Sequence, residues 1–159
     1  MAIPKWCEGK PQWVEWWKQP WEVPVSRLRA RRFKKQLWRH GKVTPHYSRA
    51  EAACKDGTPV PGVLRGNCQV QGFRLERARH AQGNKPLRML SWYRTRAYNA
   101  SIGGASLSQH VLAWACDPLD PIRVDVARKF WGNHGIGYQG YIGGTIRHVD
   151  SAWKRQWIY

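Results

Sequence analysis

Acidic side chains are scarce in this sequence: 10 Asp and Glu stand against 27 Lys and Arg among 159 residues, a formal net charge of +17. A field of that sign draws polyanions, whether nucleic acid, anionic lipid or an anionic cell wall, and does not choose among them. Long apolar runs are missing too. No stretch approaches the roughly 20 residues that a spanning helix needs, so no membrane span is expected. The first ten residues hold Pro4, Trp6 and Glu8 and no apolar core, so no secretory signal is expected either. The protein is therefore expected to be made in the cytoplasm and to reach any outer site by another route. The four cysteines, Cys7, Cys54, Cys68 and Cys116, form no CxxC pair, which argues against zinc-finger and thioredoxin-like chemistry. Without a signal they are expected to be reduced and buried. A chain this long can bury enough apolar surface to fold without disulfides. There are no repeats and no low-complexity tracts.

Tryptophan and basic charge are plentiful, and both are uneven. Residues 1–45 hold six of the eleven tryptophans (Trp6, Trp13, Trp16, Trp17, Trp21 and Trp38) and 11 basic against 3 acidic residues. Pro4, Pro11, Pro20 and Pro24 break up the first 25 residues into irregular chain. Ser26 can cap a helix running to about His40, with Gly41 as its stop. Its apolar positions Leu28, Phe33 and Leu37 form no clean stripe, which predicts docking by a narrow seam and a basic outer face. This gives a Trp-rich basic arm, 1–45, before a compact domain, 46–159.

In that domain Ser48 and Glu51 form a capping box. A helix is predicted from Arg65 to Ala81, with Val70, Phe73 and Ala81 apolar and Leu75 and Ala78 alongside. Leu87 to Tyr93 reads as a strand, Asn99 to Ser108 as loop and Pro121 to Asn133 as a helix. Gly135 to Tyr138 and Ile146 to Asp150 read as strands joined by a glycine-rich hairpin. Helices followed by short strands predict an α+β fold.

Three side chains suggest chemistry. His110 precedes Asp117 by seven positions, and His148 lies in a predicted strand. Two imidazoles and a carboxylate make three zinc ligands and leave a fourth position open, the design of a hydrolytic site. Alone, the pattern is common enough to arise by chance: the histidines could be ordinary partly buried residues and Asp117 a turn cap.

The surroundings narrow the choice. Ser91 and Arg94, then Asn99, Gly103, Gly104 and Ala105, then Ser108, His110, Ala115 and Asp117 resemble the core of the M15 peptidases. These are zinc D-Ala-D-Ala carboxypeptidases and L-alanyl-D-glutamate endopeptidases. His148, Val149 and Asp150 with Arg155 and Trp157 are similar to the family's closing motif, and the run from Tyr47 through Glu51 and Cys54 to Pro61 to its opening segment. The resemblance spans about His46 to Trp157.

It implies a small antiparallel sheet flanked by helices, of the hedgehog or D-Ala-D-Ala peptidase type, with His110, Asp117 and His148 on Zn2+. It also implies that Arg94 binds substrate, that Ser108 helps orient it, and that Asn99 with Gly103 and Gly104 shapes the loop between Arg94 and His110. Three departures stand out. Ala113 and Ala152 replace family glycines, each adding a methyl group. Thr145 stands where many relatives place the acidic general base. Asp150, which shares a strand face with His148, and His134 are the candidates for that base, and a supporting role for Asp150 is the alternative.

The implied function is a zinc peptidase cleaving peptide bonds in peptidoglycan stem peptides, as a phage lysin or virion-associated enzyme. It would act at the cell wall after release or as part of a particle. The alternative is a structural or wall-binding virion component with weak or no catalysis. Residues 1–45 could cover the back of the domain, bind anionic wall polymers or dock to virion proteins. No nucleic-acid motif accompanies the charge, so nucleic acid is not the expected partner.

Overall fold

A computed structural model describes residues 27–159. The expectations for Trp6, Trp13, Trp16, Trp17, Trp21 and the Ser26 cap lie outside the described residues. The helices are α1 (Arg27–Arg39), α2 (Arg49–Ala52), α3 (Arg65–Ala81), α4 (Arg96–Ser101) and α5 (Val124–Trp131). The strands are β1 (Met89–Ser91), β2 (Ala115–Pro118), β3 (Gly135–Gln139), β4 (Thr145–Asp150) and β5 (Arg155–Ile158). They form one sheet in the order β1-β2-β4-β3-β5, antiparallel throughout except for the parallel pair β3–β5. The fold is α+β, as the sequence predicts. Among the described residues no helix is long and apolar enough to cross a membrane.

α1 docks by a seam of Phe33, Leu37 and Trp38, while Arg31, Arg32, Lys35 and Arg39 face solvent. The Arg49 guanidinium lies 4.6 Å from the centre of the Trp38 ring. α2 carries the expected capping box, with the Ser48 side chain on the Glu51 N–H and the Glu51 carboxylate on the Ser48 N–H.

α3 is the strut of the domain, and its buried face is only half apolar. Cys68, Leu75 and Ala78 are fully covered, but so are Gln71 and Glu76. Both of these polar side chains have partners, as low-dielectric burial requires. Gln71 donates to the Val149 carbonyl (3.1 Å) and accepts from Trp131 Nε1 (3.1 Å) and Ser151 Oγ (2.6 Å), so one side chain joins α3, β4 and α5. Glu76 accepts from Thr44 Oγ1 (2.7 Å) and from the His46 backbone (2.9 Å) and meets the His46 ring at 2.8 Å. His46 thus pins its segment to α3. Val70, expected on the apolar side, is exposed. Two positions on a helix turn the side chain by about 200°, so Val70 points away from the face set by Cys68 and Gly72.

Other expectations shift at their edges. The strand of Leu87 to Tyr93 narrows to β1, and the helix from Pro121 to Asn133 narrows to α5. Asn99 to Ser101, expected as loop, complete α4, which Thr95 caps by accepting from the Tyr98 N–H. β5 and its parallel pairing were not expected. A parallel partner carries no hairpin signal, because β4 stands between it and β3 in the chain.

Asp56 ties the turn after α2 to the residue that follows Arg94. Its carboxylate accepts from the Thr58 N–H (2.8 Å) and from the Thr95 hydroxyl (2.7 Å), and these bonds lower its pKa to about 2. A carboxyl held below its unfolded value stabilises the fold above that value, near pH 4, and ceases to do so as the pH falls towards about 2. Asp56→Ala is therefore expected to lower the urea midpoint at pH 6, and its gap to the wild type to narrow between pH 4 and pH 2. A gap that stays constant over that range would refute the assignment.

Candidate metal centre

β2 and β4 run antiparallel with Ala115 opposite Asp150 and Cys116 opposite Val149. The next step along the ladder sets Asp117 against His148. Strand alternation turns the neighbouring Cys116 to the other face, where it is fully buried and its thiol pKa is pushed well up by burial. His110 arrives from a 3₁₀ turn, Gln109–Leu112, just before β2. That turn closes with Ala113 in the left-handed region, at φ 55° and ψ 23°. Glycine enters that region without steric cost, and here alanine occupies it. The left-handed backbone costs roughly 1–2 kcal/mol. Its methyl, wholly buried, returns about 0.8 kcal/mol. Ala152 has no positive φ, so its methyl meets no backbone penalty.

The result is a close triad. Asp117 Oδ1 lies 3.0 Å from His110 Nε2 and 2.8 Å from His148 Nδ1, and those two nitrogens are 3.2 Å apart. Among the described residues this is the group of His, Cys, Asp and Glu side chains that could hold a metal ion. The outward nitrogens fix the tautomers. His110 Nδ1 donates to the Trp92 carbonyl (2.5 Å), and His148 Nε2 to Asp150 Oδ2 (3.1 Å). The three inward atoms are then all electron-pair donors, which need a shared cation to sit so close. Two neutral imidazoles and one carboxylate, each oriented from behind, suit a zinc-type ion.

Electrostatics agree. Burial alone would raise the Asp117 pKa, but the two imidazoles outweigh it and hold the carboxyl well below the usual range. Burial would lower the His148 pKa, yet the negative charges of Asp117 and Asp150 beside it raise it, which marks a place that favours positive charge. At His110 burial prevails and the pKa falls.

The triad opens into a cleft of about 780 Å³ whose walls include Arg94, Gly104, Ser108, Arg147, Trp153 and Tyr159. Ser108 lies there. Arg94 does too, and its backbone N–H also donates to the His110 carbonyl (3.1 Å). Its side chain bonds Ser91 Oγ through Nε (2.9 Å) and pairs through Nη2 with Asp117 Oδ2. It thereby leaves Oδ1 to the triad. Asn99 pins the loop as expected: its amide donates to the Ala105 carbonyl (2.9 Å), and a Cβ at Gly104 would strike its side chain.

Neither candidate for the general base, Asp150 or His134, is among the residues that line this cleft. Asp150 is wholly buried behind His148, and its oxygens are taken by the His148 ring, the Ala152 N–H (2.9 Å) and the Arg155 guanidinium. His134 has both ring nitrogens engaged, Nδ1 on the Ala152 carbonyl and Nε2 with Arg74, each at 2.6 Å. Sequence reasoning also missed the walls. Arg155 has its guanidinium 4.8 Å and 5.0 Å from the ring centres of Trp153 and Trp157. Trp157 lies 5.1 Å from the His148 ring. The parallel register that brings it there, Gly137 beside Trp157, was the missing information.

Comparison with known proteins bears on this site. The family model described as Peptidase M15 matches residues 45–143, which include His110 and Asp117 but end before His148. A zinc D-Ala-D-Ala carboxypeptidase of Streptomyces albus G is 31% identical over 70 residues, 44% of this chain and 28% of that protein. The aligned stretch thus spans little more than a quarter of that relative.

Gly137 sits between His148 on β4 and Trp157 on β5, and a Cβ there would lie 2.6 Å from the Tyr159 ring and 2.9 Å from the Trp157 indole. Gly137→Ala is expected to push the indole off His148, lowering stability by about 1–3 kcal/mol in urea unfolding. It should also weaken zinc binding in a competition titration with a chromogenic chelator. Unchanged stability and affinity would show that the close approach is not needed.

Proposed function

This chain belongs to the peptidase M15 family, and from that membership we propose that it is a zinc-dependent peptidase acting on the stem peptides of peptidoglycan. The observation that carries the reading is the triad: donor atoms of His110, Asp117 and His148 within 4.8 Å of one another at the head of an open cleft. These three residues would hold the ion. Zinc in such a site polarises a scissile carbonyl and activates water.

The chain's own residues prepare the rest. The Trp92 carbonyl and Asp150 lock the two imidazoles, so no rotation is needed on binding. Arg94 holds one oxygen of Asp117 and flanks the cleft, from where it can also meet a peptide carboxylate. Ser108 offers a hydroxyl at the rim. Asp150 acts as a positioning residue through His148, with Arg155 balancing its charge, and His134 acts in packing. The charge of +17 supports action at an anionic wall and affinity for its polymers. A phage lysin, released to the wall or carried on a particle with residues 1–45 docked to neighbours, is the cellular setting of this reading.

One observation favours the second reading, a wall-binding or structural component with weak or no catalysis: among the described residues Asp117 is the single carboxylate in the cleft wall. Metal analysis and digestion of purified peptidoglycan separate the two. About one zinc per chain and new peptide ends are expected, both lost in His110→Ala and His148→Ala. Zinc without new ends would favour the second reading, and a wild type that holds no zinc would overturn the metal site and the peptidase with it.

Asp150→Asn is expected to weaken zinc binding by about ten- to a hundredfold, while His134→Ala keeps the metal. Full zinc affinity with lost turnover in Asp150→Asn would instead make Asp150 the base.

A further inference from the structure

The cleft wall holds three arginines, Arg94, Arg147 and Arg155. Two are neutralised, Arg94 by Asp117 and Arg155 by Asp150. Among the described residues no carboxylate meets Arg147.

Its position is unusual for a strand. Along the β3–β4 ladder Gly137 faces His148 and Tyr138 faces Ile146, so Arg147 is the extra residue of a β-bulge. In a regular strand adjacent side chains point to opposite faces. Here Arg147 and His148 both line the cleft. Bulges re-aim side chains in this way beside functional sites.

The guanidinium is also tethered. Arg147 Nε donates to Gln139 Oε1 at 2.7 Å, and Gln139 is part of the same wall. That bond uses the inner nitrogen and not the two terminal ones, the pair that completes a fork on a carboxylate. A lysine held by such a bond would keep two N–H groups, but both on one nitrogen and so without the planar fork that matches a carboxylate. Before any metal ion is counted, three guanidiniums stand against two carboxylates, so the cleft has room for a further negative charge.

We propose that Arg147 binds a carboxylate of the peptide substrate and is a specificity-determining residue of this site. The proposal rests on the peptidase reading and deepens it. The carboxylate belongs either to an acidic side chain or to a free C-terminus. The first means a cut within the stem peptide, the second removal of its last residue.

Binding to the full chain, measured by titration calorimetry with two peptide pairs, tests this. The first pair is acetyl-L-Ala-D-Glu amide and acetyl-L-Ala-D-Gln amide. The second is acetyl-D-Ala-D-Ala and its C-terminal amide. In one pair the acid is expected to bind about ten- to a hundredfold more tightly. Arg147→Gln should abolish that gap, and Arg147→Lys should keep part of it. With a cleaved substrate the loss should appear in KM and leave kcat. The neutral peptides should bind all three proteins alike. Equal binding of acid and neutral peptides by the wild type overturns the proposal without recourse to any variant. So does a gap that survives Arg147→Gln. A wild type that discriminates yet cuts no peptide would sink the hydrolase reading and leave the Arg147 assignment standing.

Discussion

Three electron-pair donors within about 3 Å of one another repel unless a positive charge joins them. The domain is organised around that constraint at His110, Asp117 and His148. Each inward atom is held by a bond made on its far side: a backbone carbonyl behind one imidazole, a buried carboxylate behind the other, a guanidinium on the second oxygen of the acid. The outer bonds matter as much as the inner atoms. Without them either ring could turn or exchange tautomers, and its lone pair would no longer face the centre. Asp150 shows how far this reaches, because it is itself held by Arg155, which lies between two indoles.

The packing serves the same end. Gln71 on α3 links the helix to β4 and Trp131, which fixes the strand that carries His148. The missing side chain at Gly137 lets Trp157 approach that imidazole. Ala113 accepts an unfavourable backbone so that the chain can turn from His110 into β2 within a few residues. These are local costs near a site, each offset by burial or by a hydrogen bond in its surroundings.

Much of this was legible in the sequence, and the exceptions share a cause. The long helix, the capping box, the hairpin and the triad are carried by local pattern or by motif, so they could be read from neighbouring residues. Val70 was misplaced because the buried face of α3 is partly polar, and hydrophobic periodicity does not see Gln71 or Glu76. The start of α4 was missed because its signal is a single capping threonine. Trp157 and Arg147 depend on strand register and on a bulge, and alternation read from sequence sends Arg147 to the wrong face. Asp150 and His134 were plausible proton carriers by spacing alone. Only their partners in space reveal that both are fully occupied.

The three triad residues come from a 3₁₀ turn and two strands, and 38 positions separate the first from the last. In the unfolded chain those groups are strangers. A cation held by all of them closes a long loop, so its binding free energy is also folding free energy. Occupancy and global cohesion are therefore one equilibrium: a ligand that strips the ion loosens the turn, the central strands and the strut helix together, and a cell rich in that ion keeps the whole domain knit.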